Sequence, residues 1–199
     1  MKKLILLLLL IPLQLFSQFC PKCKYELKND TYTVDYDTAN RIPRFVYYIY
    51  QTDKIGTWIA RPAFKTDERV QSSATPFDYL YSGYDKGHLF PYASAQSIRA
   101  CEECMLMTNI APQTHRFNRG IWSYIEGFER INASPIAYII TGTITSTFDK
   151  KIGNKVDVPV YFYKIVYNPT KGMIVFLASQ EINDYKLITV DALERLTGN

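Results

Sequence analysis

From Tyr32 onward the chain is cut into short β-branched and aromatic runs by Gly, Pro, Asn and Asp, and this punctuation restricts it to many short strands with few helices. Arg44 to Tyr50, Trp58 to Ala60, Pro135 to Thr141, Val158 to Tyr167 and Met173 to Ala178 read as strands. The segment Asn168-Pro169-Thr170-Lys171-Gly172 has hairpin-turn chemistry between the last two. Helical periodicity is confined to two stretches. Over Asn118 to Ile131, the residues Ile121, Trp122, Tyr124, Ile125 and Phe128 recur at spacings of three and four and make one apolar face. Over Thr189 to Leu196, Val190, Leu193 and Leu196 are in phase. Trp122, Ile125 and Phe128 are therefore assigned to the core. No long linker, repeat or low-complexity tract divides the chain, so the pattern predicts one α+β domain over residues 19–199.

Residues 1–18 are set aside from that domain. Lys2 and Lys3 precede a leucine-rich run from Leu4 to Leu10 that continues apolar to Phe16, the layout of a secretory signal peptide with cleavage near Ser17-Gln18. Pro12 and Gln14 interrupt the run and leave it short of the roughly 20 residues a spanning helix needs, so no permanent membrane anchor is expected. Phe19 stands where a lipoprotein ending at Cys20 would need a small residue. The expectation is export, to the periplasm or the medium. Without Lys2 and Lys3 the domain has 21 basic and 19 acidic side chains, so its net charge is +2. Bulk charge therefore gives no argument for a nucleic-acid partner; only local clusters of Lys and Arg could.

Four cysteines form two C-x-x-C pairs, Cys20/Cys23 and Cys101/Cys104. In an exported protein disulfides are the first reading. A four-thiolate Zn²⁺ site is the second. A redox pair is the last, because no βαβ context surrounds Cys20.

The two histidines, His88 and His115, lie in polar, glycine-containing segments that look like loops on composition. For His115 a surface or structural role is the simpler reading. His88 ends the tetrapeptide Asp85-Lys86-Gly87-His88, in which glycine permits close backbone approach to a ligand, lysine offers a charge to phosphate and a neutral imidazole can accept a proton from water. Downstream come Asn109-Ile110-Ala111-Pro112-Gln113, then Asn118-Arg119-Gly120-Ile121-Trp122, then Glu126 and Arg130.

Together these segments resemble the DNA/RNA non-specific endonucleases of the ββα-metal superfamily. That family's pattern is Asp-Arg-Gly-His, an Asn-x-x-Pro-Gln segment, and Asn-x-Gly-x-Trp opening a helix with a glutamate and an arginine. The resemblance extends over about Arg41 to Gly198 and departs at Lys86, where the family usually has arginine. Lysine keeps the charge but loses the planar bidentate fork, so a lower rate is expected rather than a different reaction.

The resemblance implies a ββα-metal (His-Me finger) fold with a central antiparallel sheet and flanking helices. It also implies metal-dependent hydrolysis of DNA and RNA with little sequence preference, since such enzymes contact sugar and phosphate more than base edges. His88 would be the general base and Asn118 the ligand of Mg²⁺, with Mn²⁺ or another divalent ion as substitutes. Glu126, eight residues beyond Asn118, would face the same cavity and orient the ion's waters. Arg130 would pair with Glu126 or reach phosphate, although this spacing is also that of an ordinary exposed i,i+4 ion pair. Asn109 would be a polar positioning residue near the site and Arg61 a phosphate contact.

Two other readings make different predictions. A module of the same fold that has lost catalysis would retain nucleic acid without metal and without cleaving it. An exported zinc or thiol protein centred on Cys20, Cys23, Cys101 and Cys104 would leave His88 dispensable.

Overall fold

The computed structural model describes residues 26–52, 60–146 and 150–198. These residues form eleven strands, β1 (Glu26–Lys28), β2 (Tyr32–Asp37), β3 (Ile42–Gln51), β4 (Tyr84–His88), β5 (Ile110–Thr114), β6 (Ile136–Ile144), β7 (Lys151–Ile152), β8 (Val156–Asp157), β9 (Tyr161–Asn168), β10 (Gly172–Ser179) and β11 (Asp184–Leu187). Four α-helical segments accompany them among the described residues: α1 (Ile98–Glu103), α2 (His115–Phe117), α3 (Ser123–Asn132) and α4 (Val190–Thr197). Seven strands build one antiparallel sheet in the order β1-β2-β3-β6-β9-β10-β11, and β4-β5 and β7-β8 are separate pairs. The fold is α+β, with the central antiparallel sheet and flanking helices that the resemblance implies.

Four of the five expected strands appear as β3, β6, β9 and β10, with ends shifted by up to three residues. The turn at Asn168 is built as its chemistry requires: its Oδ1 accepts from Thr170 N at 2.9 Å, Thr170 Oγ1 at 2.8 Å and Lys171 N at 3.2 Å. The expected strand at Trp58 to Ala60 falls on Trp58 and Ile59, outside the described residues, and Ala60 belongs to no element. Strand β11 was not anticipated, because Asp184, Tyr185, Lys186 and Leu187 form a largely exposed edge with little apolar pattern of their own.

The sheet is covered on both faces. Along β9, Phe162 and Val166 pack with Trp122, Ile125 and Phe117 on one side, whereas Tyr163 and Ile165 pack with Leu193 of α4 on the other. Helix α4 starts where the sequence places it, with Thr189 Oγ1 accepting from Ala192 N at 3.2 Å, and it ends at Gly198 with a left-handed φ of 73°.

The first face also buries an ion pair that the sequence did not announce. Lys164 of β9 and Glu129 of α3 are both fully buried and bonded to each other. Tyr48 OH of β3 donates to the Glu129 carboxylate at 2.8 Å, Ser94 Oγ donates to it at 2.6 Å, and Lys164 Nζ donates to Tyr48 OH at 3.2 Å. Burial with four mutual partners is the condition under which such charges persist inside a protein.

Candidate active site

The site is carried by β4, β5 and the helix that follows them. Strand β4 pairs antiparallel with β5, Lys86 opposite Pro112 and His88 opposite Ile110. His88 is therefore the last residue of a strand and His115 the first of a helix, and neither segment is the loop its composition suggested. Cross-strand pairing overrides the weak strand preference of Asp, Lys and Gly. Gly87 is required here, but the close approach is internal: a Cβ would overlap the buried side chain of Gln113 on β5, rather than make room for a ligand.

The helix begins three residues earlier than expected and is not regular. Between α2 and α3 lies a wide π-type turn, Asn118–Trp122, in which Gly120 adopts φ −110° and ψ −105°. The wide turn breaks the 100° phase that links Asn118 to Glu126 in a regular helix, yet both line the same cleft.

That cleft measures about 610 Å³ and is bordered by Arg61, Phe64, Lys86, His88, Asn118 and Glu126, with Tyr84, Asp85, Tyr92 and Arg119 at its sides. The His88 ring lies 5.4 Å from that of Phe64, and its Nε2 is buried with no hydrogen-bond partner. Burial, helped by the Arg61 charge, pushes the imidazole down to a pKa of about 3, so it is neutral at physiological pH. Its carbonyl accepts from Trp122 Nε1 at 3.2 Å, so Trp122 both packs the core and holds the end of β4 against the helix.

Asp85 fixes the amide of Asn118. Its Oδ2 accepts from Asn118 Nδ2 at 3.0 Å and Arg119 Nε at 3.1 Å; its Oδ1 meets Arg119 Nη2 at 3.1 Å and His115 Nδ1 at 2.7 Å. Burial opposes the charge on Asp85, but the bonds from Asn118, Arg119 and His115 outweigh it and hold the carboxyl below its usual range. With Nδ2 committed to Asp85, the Asn118 Oδ1 remains for a ligand. In the sequence Asp85 and Arg119 carry no role of their own and His115 reads as a surface or structural residue; only the fold brings the three to Asn118.

Glu126 is pushed up to about 7 by burial and by the nearby Glu129, against the lowering effect of Lys164, Arg130 and Arg61. Arg130 does not form the i,i+4 ion pair with Glu126: no such bridge occurs among the described residues, and Arg130 Nη1 is buried without a partner. The Lys86 ammonium sits over the rings of Phe64 and Tyr79, each at 5.5 Å, and the Arg61 guanidinium over Tyr92 at 4.7 Å.

Asn109 lies beneath the cleft rather than in it. Fully buried, it accepts from Phe90 N at 2.8 Å and donates to Phe90 O and Cys104 O, both at 2.9 Å. It pins the chain just after His88 to the end of α1.

Cys101 and Cys104, expected in a disulfide or a Zn²⁺ site with Cys20 and Cys23, are buried free thiols on and just after α1. Cys20 and Cys23 lie outside the described residues. Burial raises both described thiols, Cys104 to about 12, which argues against a redox pair.

No group of three or more His, Cys, Asp or Glu side chains among the described residues is arranged to hold a metal. The donor set that fits a cation here is a single neutral oxygen, Asn118 Oδ1, in a polar cleft with room for water. Such a set suits a hard ion that keeps most of its own waters, as Mg²⁺ does.

Known proteins resemble the chain over 68–89% of its length. A family model described as DNA/RNA non-specific endonuclease matches residues 17–199. A nuclease of Nostoc sp. is 28% identical over 87% of this chain and 72% of its own length. Nuclease C1 of Cunninghamella echinulata is 30% identical over 72% of this chain, and the match takes in 65% of that protein. The mitochondrial nuclease EXOG of mouse is 31% identical over 68% of this chain, which spans 42% of it. A chain in the crystal structure of the EndoG/EndoGI complex superposes with a TM-score of 0.80 at 24% identity, covering 89% of this chain and 85% of that one. With the family model matching residues 17–199 and the same fold recurring in a solved relative, the chain belongs to the DNA/RNA non-specific endonuclease family.

Proposed function

We propose that the protein is a divalent-metal-dependent endonuclease that hydrolyses phosphodiester bonds of DNA and RNA with little sequence preference, with His88 as general base and Asn118 as metal ligand. The observation that carries this reading is the uncommitted, neutral Nε2 of His88 in the cleft that also contains Asn118. An imidazole with a pKa of about 3 holds a proton weakly when only the protein's own groups surround it. A phosphodiester anion entering beside it favours the imidazolium and strengthens the base when substrate is present.

Bound at Asn118, Mg²⁺, or Mn²⁺ in its place, would supply positive charge to the developing phosphorane and leaving oxygen. Asp85 orients Asn118 through Nδ2. Glu126 would accept hydrogen bonds from cleft waters, and Lys86 and Arg61 would bind the phosphate. Arg130, with a buried donor unmatched, would add to that charge. Asn109 acts through the backbone at Phe90 and is a positioning residue. The leucine-rich segment before residue 19 supports export to the periplasm or the medium.

The test is incubation of wild-type protein and His88→Ala with supercoiled plasmid and with total RNA, in Mg²⁺ or EDTA. Wild type is expected to degrade both only with metal, and His88→Ala to lose roughly 10²- to 10⁴-fold in rate. Absence of cleavage with every divalent ion tried, or an equally active variant, ends the assignment. Retention of nucleic acid in EDTA without cleavage in metal would favour the binding module.

A further inference from the structure

The turn between Val70 and Tyr84 presents apolar side chains in a manner that the cleft chemistry does not use. Phe77 is 78% exposed, Leu80 56% and Tyr81 104%, while Tyr79 among them is only 4% exposed and anchors the turn. Phe77, Leu80 and Tyr81 have no ring, ion-pair or side-chain hydrogen-bond partner among the described residues.

The turn is also rigidly built. The Asp78 carboxylate accepts from Thr75 N at 2.7 Å, Thr75 Oγ1 at 2.9 Å and Asn154 N at 2.7 Å, and meets Arg41 Nη2 at 3.4 Å. Ser82 Oγ donates to Tyr79 O at 2.9 Å and accepts from Tyr84 N at 3.1 Å. Gly153 packs so closely on Asp78 that a Cβ there would overlap it. Tyr81 itself has a φ of +55°, a conformation that a bulky side chain adopts only when its surroundings impose it. An ordered turn that holds three apolar groups in water reads as a contact surface.

Its surroundings indicate the occupant. The buried face of the turn meets the cleft, since the Lys86 ammonium lies over Tyr79. Tyr84, which borders the cleft, carries the Lys150 ammonium 5.2 Å above its ring. Lys155 stands exposed on the β7-β8 hairpin that packs on Asp78. Asp78 is the one acidic residue from Val70 to Tyr84, and it is buried. Flat apolar faces flanked by ammonium groups, on a turn whose one carboxylate is buried, suit a polyanion whose bases are free to stack.

We propose that the turn Pro76 to Gly83 is a stacking platform for a single-stranded stretch of nucleic acid leaving the cleft, with Phe77 and Tyr81 meeting bases and Lys150 and Lys155 meeting phosphates. This rests on the nuclease reading for the position of the scissile bond but is testable apart from it.

The double variant Phe77→Ala/Tyr81→Ala changes exposed side chains only, and its melting temperature is compared with wild type to check folding. Binding of fluorescent single-stranded oligonucleotides of roughly 4 and roughly 16 nucleotides is measured by anisotropy in EDTA, and cleavage of the same oligonucleotides in Mg²⁺. Affinity for the longer one is expected to fall about tenfold or more in the variant, raising its KM, with kcat and affinity for the shorter one unchanged. Equal affinity of both proteins for the longer oligonucleotide, with wild-type cleavage intact, overturns the platform alone. Absence of wild-type cleavage with the affinity difference preserved overturns the nuclease reading and leaves the platform standing. A wild-type dimer that the variant converts to monomer in sedimentation, without an affinity difference, assigns the turn to a second copy of the chain and overturns the proposal.

Discussion

His88 and Glu126 are shifted in directions that oppose each other in the pH dependence of stability. His88 falls from 6.5 to about 3, so below pH 6.5 the unfolded chain binds the proton more readily and stability declines as pH falls toward 3. Glu126 rises from 4.5 to about 7, so its native form holds the proton more tightly, and that contribution is present below pH 4.5 and lost as pH rises through 7. Between pH 4.5 and 6.5 the two slopes offset. Glu126→Gln should therefore be about as stable as wild type at pH 4 and more stable at pH 8. The cleft partly solvates the carboxylate, so the gain is about 1–2 kcal/mol rather than the full value of the shift. Urea denaturation in EDTA across this range checks it, and a wild-type-to-variant difference that does not grow with pH would refute the shift. Both residues could be singled out in the sequence through their neighbours, but the shifts could not, because they come chiefly from burial, with contributions from the distant Arg61 and, for Glu126, Lys164 that the neighbouring Glu129 and Arg130 alone do not reveal.

At the scale of the element, β4, β5 and the helix act as one unit in which a single Cβ matters. Gly87→Ala forces an overlap with Gln113, which is fully buried and cannot swing into solvent. The expected cost is about 1–3 kcal/mol, the range for overpacking, relieved in large part by Gly87→Ala/Gln113→Ala. Chemical denaturation of the single and double variants measures both, and a double variant as unstable as the sum of its parts would show that the overlap is not the cause. The helix was legible from Trp122, Ile125 and Phe128, whose apolar phase survives from the last residue of the wide turn into α3. Its first turns were not: the widening at Asn118–Trp122 accompanies the clamp of Asp85 on Asn118 and Arg119, a contact 33 and 34 residues distant in sequence.

Across the whole molecule, the buried Lys164–Glu129 pair joins β9 to β3, to the turn that bears Ser94 and to α3, the helix that also presents Glu126. Its ammonium also lies 5.5 Å from the ring of Trp122, which holds the carbonyl of His88. Lys164→Met leaves the Glu129 carboxylate buried and unpaired and should cost about 3–5 kcal/mol. Lys164→Met/Glu129→Gln removes that charge and should recover most of the loss. Urea midpoints of the three proteins decide it; a double variant less stable than Lys164→Met would contradict the pairing.

The local pattern of the chain determined its strand-rich class, the four strands β3, β6, β9 and β10, the Asn168 turn, the amphipathic helix and the terminal helix, because each depends on residues close in sequence. The motifs around His88, Asn109, Asn118 and Glu126 carry the family resemblance in the sequence itself. Tertiary structure alone decided that Lys86 and His88 lie on a paired strand, that Asp85 aims Asn118 and that Asn109 supports the backbone instead of lining the cleft. It also decided that Glu129 and Lys164 form a buried pair. Each of those outcomes is a contact between segments distant along the chain, where desolvation and long-range hydrogen bonds outweigh local preference.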